Sequence, residues 1–116
     1  MAKDDYHVIV YQILSYLYGQ LKKGERIDPD MLSSSALFGI NEKYRQYIIY
    51  NLHKDGLVTN IIVKESKYID GETQLIIMGL ENCQITPRGI EYLTENSFME
   101  KAKEFFKDVK GIVPFI

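Results

Sequence analysis

The chain has 116 residues, of which 46% are hydrophobic and 26% charged, with a formal net charge of -2 and a pI near 5.7. That length and balance suit one globular domain, spanning 1–116, that buries a core without metal or disulfide staples, rather than a disordered chain. They also exclude a uniformly basic surface, so any nucleic-acid contact has to come from a local patch.

Cys83 is the only cysteine, which rules out an intramolecular disulfide and makes a reducing cytoplasm the natural setting. The start, MAKDDYHVIV, lacks the uninterrupted apolar core and cleavage site of a signal peptide. No apolar run approaches the ~20 residues needed to span a bilayer. A soluble, cytoplasmic protein with no membrane contact is expected.

The first predicted element is a helix from about Asp5 to Lys23. Tyr6, Ile9, Val10, Ile13, Leu14, Leu17 and Leu21 fall on one broad face, with Gln12, Ser15, Gly19 and Lys22 on the other. Asp4 and Asp5 at its start and Lys22 and Lys23 at its end match the helix macrodipole, and Gly24 stops it. Val8, Tyr11 and Tyr18 lie off the stripe and are expected to be partly exposed packing residues, available to a dimer contact.

A short second helix of about two turns is expected from Asp28-Pro29, with Asp as N-cap and Pro at the first helical position. Three serines, Ser33 to Ser35, keep it short, and Ala36, Leu37, Phe38 and Ile40 return the chain to the core. After a turn at Gly39, Asn41 caps a third helix that ends at Gly56, where a positive φ is expected. Tyr44, Ile48, Asn51 and Leu52 lie on its apolar side with Tyr47 at the border; Lys43, Gln46, Tyr50 and His53 lie opposite. The two short helices make a helix-turn-helix pair.

LVTNIIVKE and TQLIIMGL read as two strands joined through Asp70-Gly71, a hairpin turn signal. Ile61 and Val63 should share one face, with Asn60, Ile62 and Lys64 on the other, and ENCQI should rejoin or end the sheet. Thr86-Pro87 opens a further helix that packs Ile90, Leu93 and Tyr92 inward and breaks at Glu95-Asn96. Ser97 and Glu100 then form a capping box for a last helix over 97–110, with Phe98, Ala102, Phe105, Phe106 and Val109 on one stripe. Gly111 ends it before the apolar tail IVPFI. That last stripe caps the core and can also contribute to a dimer surface.

Helix, helix, helix, hairpin, helix is the order of an α+β winged helix-turn-helix with additional C-terminal helices. HKDGLV, DGETQLIIMGL, ITPRGIEYLTEN and KAKEFFKDVK together resemble the YjcQ family of small bacterial and phage-encoded proteins, most strongly from Asn41 to Lys110. The resemblance implies the winged-helix fold. It carries no catalytic, cofactor or ligand residues with it.

Two histidines, His7 and His53, and one cysteine form no sequence cluster with metal-ligand spacing, and no Gly-rich loop cradles a phosphate. A catalytic site, a metal and a cofactor are therefore not expected; Cys83 reads as a small, inert residue. The functional expectation is double-stranded DNA, with the third helix in the major groove. Its readers would be Lys43, Gln46 and Tyr50, flanked by Tyr47 and His53, with Arg45 as a phosphate contact or the partner of a nearby carboxylate. Lys64 and Lys67 on the hairpin and Ser33 to Ser35 would touch backbone. Against this, Lys43, Arg45 and Lys54 face Glu42 and Asp55, and the hairpin sets Lys64 and Lys67 against Glu65, Asp70 and Glu72. A protein-interaction module on the same scaffold stays open, as does a homodimer through helix 1 and the C-terminal helix.

Overall fold

The computed structural model describes residues 1–108. Helix α1, Tyr6–Lys23, is the axis of the molecule; from Val8 to Leu17 every residue except Gln12 is buried. Its C-terminus closes with a left-handed Gly24, whose N–H donates to Leu21 O while Glu25 N–H reaches Gln20 O.

Three expectations for this helix are corrected. Val8 and Tyr11 are buried rather than partly exposed, Ser15 and Gly19 are buried rather than on a polar side, and Leu21 is exposed. The reason is that α1 has neighbours all round, so the width of its apolar stripe underestimates how much of it is covered. Gln12 shows the same environment, since its Nε2 donates to Ala36 O at 2.9 Å instead of meeting water.

The expected second helix reduces to a single 3₁₀ turn, Pro29–Leu32, capped as anticipated by Asp28, whose Oδ1 accepts from Asp30 N–H at 3.0 Å. Ser33 Oγ donates to Asp30 O at 2.6 Å, offering the backbone an alternative to continued helix. The chain then turns through Phe38 and Gly39, both with positive φ. Leu32, Leu37 and Ile40 still reach the core.

Helix α2, Glu42–Lys54, is the predicted third helix. Asn41 Oδ1 accepts from Lys43 N–H at 2.8 Å. At its other end Gly56 has φ +75, Gly56 N–H donates to His53 O and Leu57 N–H to Leu52 O, the paired bonds of a glycine-terminated helix. Ile48, Ile49 and Leu52 are buried, while Tyr44 and Asn51 are only half-buried. Tyr44 Oη donates to Asp4 O at 2.8 Å, tying the N-terminus to this helix.

The wing is one antiparallel hairpin in two ladders. Strand β1, Val58–Thr59, pairs with β4, Gln84–Ile85; β2, Ile62–Lys67, pairs with β3, Thr73–Met78, in the register Ile62↔Met78 to Lys67↔Thr73. Between the ladders, residues 60–61 face residues 79–83, which hold a 3₁₀ turn at Leu80–Asn82. Asn60 and Gly79 take the positive φ that this mismatch demands, and Asn60 Nδ2 donates to Gln84 Oε1 at 3.1 Å. Ile61 and Val63 turn inward and Ile62 and Lys64 outward, as the alternation predicts.

Helix α3, Pro87–Glu95, starts at Thr86, whose Oγ1 accepts from Gly89 N–H and donates to Gly56 O at 2.6 Å. Helix α4, Ser97–Asp108, packs on α1 and α3. Its cap differs from expectation: Asn96, not Ser97, takes the N-cap role, with Oδ1 accepting from Phe98 N–H at 2.8 Å and Met99 N–H at 3.3 Å. The buried stripe is accordingly Met99, Ala102 and Phe106, with Phe105 half-buried and Phe98 displaced onto the rim, stacked on His7. Val109, Gly111 and the IVPFI tail lie outside the described residues. The whole is an α+β winged helix with additional C-terminal helices; no helix of the described residues is long and apolar enough to cross a membrane.

Candidate nucleic-acid interface

Glu42 opens α2 with a carboxylate, which at a DNA surface would repel phosphate. It is already engaged inside the molecule: Arg45 Nη1 donates to its Oε1 at 2.7 Å and Ser34 Oγ to its Oε2 at 2.8 Å. Arg45 also donates through Nε to Leu32 O. Its side chain is 11% exposed against 56% for Glu42. Of the two roles read for Arg45, the carboxylate partner is the one observed; the residue brackets the 3₁₀ turn to α2 and fixes how the two halves of the helix-turn-helix meet. Ser33 and Ser34 are likewise occupied by Asp30 O and Glu42.

With that pair neutralised, Lys43 is the free cation of the first turn of α2. It is exposed and makes no ion pair among the described residues. A lysine there faces the positive end of the helix macrodipole, an arrangement that opposes rather than supports the helix. Gln46 Nε2 sits 3.5 Å from Glu42 Oε1, at the limit of a hydrogen bond, so the amide can be recruited elsewhere. Tyr47 is 57% exposed and touches Tyr6 edge-on, with ring centroids 6.4 Å apart.

Towards the end of the helix, Tyr50, His53 and Lys54 line a shallow groove of about 290 Å³ with Val63 and Glu65 of β2. Lys54 Nζ lies 6.0 Å from the Tyr50 ring centroid, a distant cation–π contact. Lys54 follows Tyr50 by four residues, so helical spacing alone already places it on the face of the candidate readers, although it is not among them.

The hairpin lysines separate. Lys67 shares the α2-facing side of the sheet with Val63 and Glu65, whereas Lys64 is paired opposite Ile76 on the outer side. The structure therefore gathers Lys43, Gln46, Tyr47 and Tyr50 on one helix surface, with His53 beside it, and leaves Lys64 out.

Cys83 and His7 belong to other places. Cys83 is buried beside a groove formed by the end of α1 and residues 60–62, and burial pushes its thiol up to about 12. His7 stacks on Phe98 with centroids 4.3 Å apart, and its Nδ1 is buried without a partner. Burial holds its pKa below the usual imidazole value, against the smaller pull of Asp5. Among the described residues no group of three His, Cys, Asp or Glu side chains could hold a metal ion.

The family model described as "YjcQ protein" matches residues 11–112. No curated protein and no solved structure matches the chain.

Proposed function

We propose, from the premise that the chain belongs to the YjcQ family, that it is a non-catalytic winged-helix DNA-binding protein, a small bacterial or prophage transcriptional regulator. The observation that supports this most is the internal neutralisation of Glu42 by Arg45 and Ser34. It offsets the charge of the carboxylate at the entrance of α2, where Lys43, Gln46, Tyr47 and Tyr50 would form the outward surface of a major-groove helix. Lys43 would meet phosphate or guanine, Gln46 an adenine edge, and the tyrosines backbone or thymine methyls. Lys67 would steady the wing on the backbone. The cytoplasm is the compartment in which this role would be exercised.

The test is fluorescence anisotropy with a random duplex at ~50 mM salt, where non-specific binding near the micromolar range is expected and should weaken steeply as salt rises. Lys43→Glu should reduce affinity uniformly across sequences, by roughly tenfold, and lower the salt slope by about 1 or more. A wild-type chain that gives no signal at that salt lacks the electrostatic contact every groove reader needs.

A second reading, a protein-interaction module, draws on the hairpin tip. Ile69 is fully exposed and Tyr68 exposed, beside Asp70 and Glu72. An apolar, acidic tip repels phosphate and suits a protein surface with basic rims. Loss of binding in the duplex experiment favours this reading.

A further inference from the structure

The two-stranded β2–β3 sheet has one face turned to α2 and one turned to solvent. On the solvent face Ile62 is 54% exposed, Ile76 38% and Met78 40%, and the register sets Ile62 beside Met78 and Lys64 beside Ile76. Exposed Leu21 continues the patch, because it lines the same groove of about 760 Å³ as Ile62. A two-stranded sheet is marginal in water by itself, and an uncovered apolar face makes it more so. No residue of β2 or β3 makes a backbone hydrogen bond outside this hairpin among the described residues.

We infer that this outer face is a self-association surface, on which a second copy of the chain packs face to face about a two-fold axis. Self-complementarity identifies the occupant. From tip to base the face presents Lys64 with Ile76, then Ile62 with Met78, then the groove rim, where Glu25 and Glu81 outnumber Arg26. Neither Lys64 nor these two glutamates has an ion pair among the described residues. A two-fold axis through the apolar middle runs the hairpins antiparallel, buries Ile62, Ile76 and Met78 of both copies, and sets each Lys64 over the other copy's acidic rim. Such sheet-on-sheet packing separates the backbones by ~10 Å and leaves both α2 surfaces outside the contact. Of the α1 residues read as available to a dimer contact, Val8 and Tyr11 are buried, and Tyr11 stacks on Phe106 of α4 within one chain.

Sedimentation velocity of the full chain from roughly 5 to 200 μM tests this, with dimer expected to grow across the range. Ile76→Lys, with an unchanged circular dichroism spectrum, should weaken association at least ~100-fold; Met78→Lys serves if the first variant does not fold. Lys64→Glu should weaken it roughly tenfold, and Lys64→Glu with Glu81→Lys should recover most of that loss. A wild-type monomer throughout the range, or a folded Ile76→Lys that associates like wild type, overturns the surface. A dimer whose charge reversal recovers nothing overturns the antiparallel seating.

Discussion

A Cβ on Gly89 would lie 2.2 Å from Leu57 O and 2.7 Å from Ile85 Cγ1. Leu57 cannot easily yield, because its N–H is bonded to Leu52 O and its carbonyl accepts from Thr86 N–H. Gly89→Ala should therefore cost about 2–3 kcal/mol, at the upper end of overpacking, read as a lower urea midpoint; an unchanged midpoint would contradict the contact. His7 gives a pH dependence. Its folded pKa lies below the unfolded value of 6.5, so the unfolded chain binds the proton more readily. The stabilisation from neutral His7 is complete above that value and declines as pH falls through the window between the two pKa values. Urea midpoints at pH 7.5 and 5 should differ less for His7→Phe, which keeps the stack on Phe98 and cannot titrate. Cys83 should react with a thiol reagent only as the chain unfolds, since the thiol is both covered and far from ionisation at neutral pH. Fast labelling of the native protein would count against that burial.

At the scale of the element, the stops and starts carried by one residue were legible: Gly24 and Gly56 end helices, and Asp28, Asn41 and Thr86 cap them. Local chemistry suffices there, because a left-handed glycine or a side-chain oxygen acts within three residues. The cap of α4 shows where that reasoning loses resolution. Asn96 and Ser97 are adjacent and both suitable, and the choice is made by which phase buries Met99, Ala102 and Phe106 on α1 and α3. Asn96→Ala should cost about 1 kcal/mol while Ser97→Ala stays within a few tenths, measured by chemical denaturation. The reverse order would restore the Ser97–Glu100 capping box. The second helix is shorter than its two expected turns because Ser33 bonds Asp30 O three residues back, a local competition that the serine run signals in kind but not in extent.

For the whole molecule, the order of elements and the winged-helix class followed from periodicity and turn signals, but the encirclement of α1 did not. Tyr11 is buried against Phe106 of a helix some 90 positions away, which no window along the chain contains. The candidate interface divides in the same way. Lys43 and Gln46 follow from helical spacing alone, whereas the withdrawal of Arg45 depends on Leu32 O, and the separation of Lys64 from Lys67 depends on which face of the hairpin meets α2. Because α4 covers one side of α1 and supplies Met99, Ala102 and Phe106 to the core, a chain ending at Asn96 should lose cooperative unfolding and bind a hydrophobic dye. A sharp thermal transition in that truncated chain would show that α4 is dispensable.

The central place of α1 has a consequence for synthesis. The most apolar helix leaves the ribosome before the helix that packs on it, which begins about 70 residues later. At ordinary translation speeds that interval is roughly 4–15 s, long compared with the microseconds in which a helix forms. Throughout it the nascent chain lacks the Phe106 ring that stacks on Tyr11 of α1. Ribosome-associated chaperones should therefore engage this protein early and release it only when α4 has emerged.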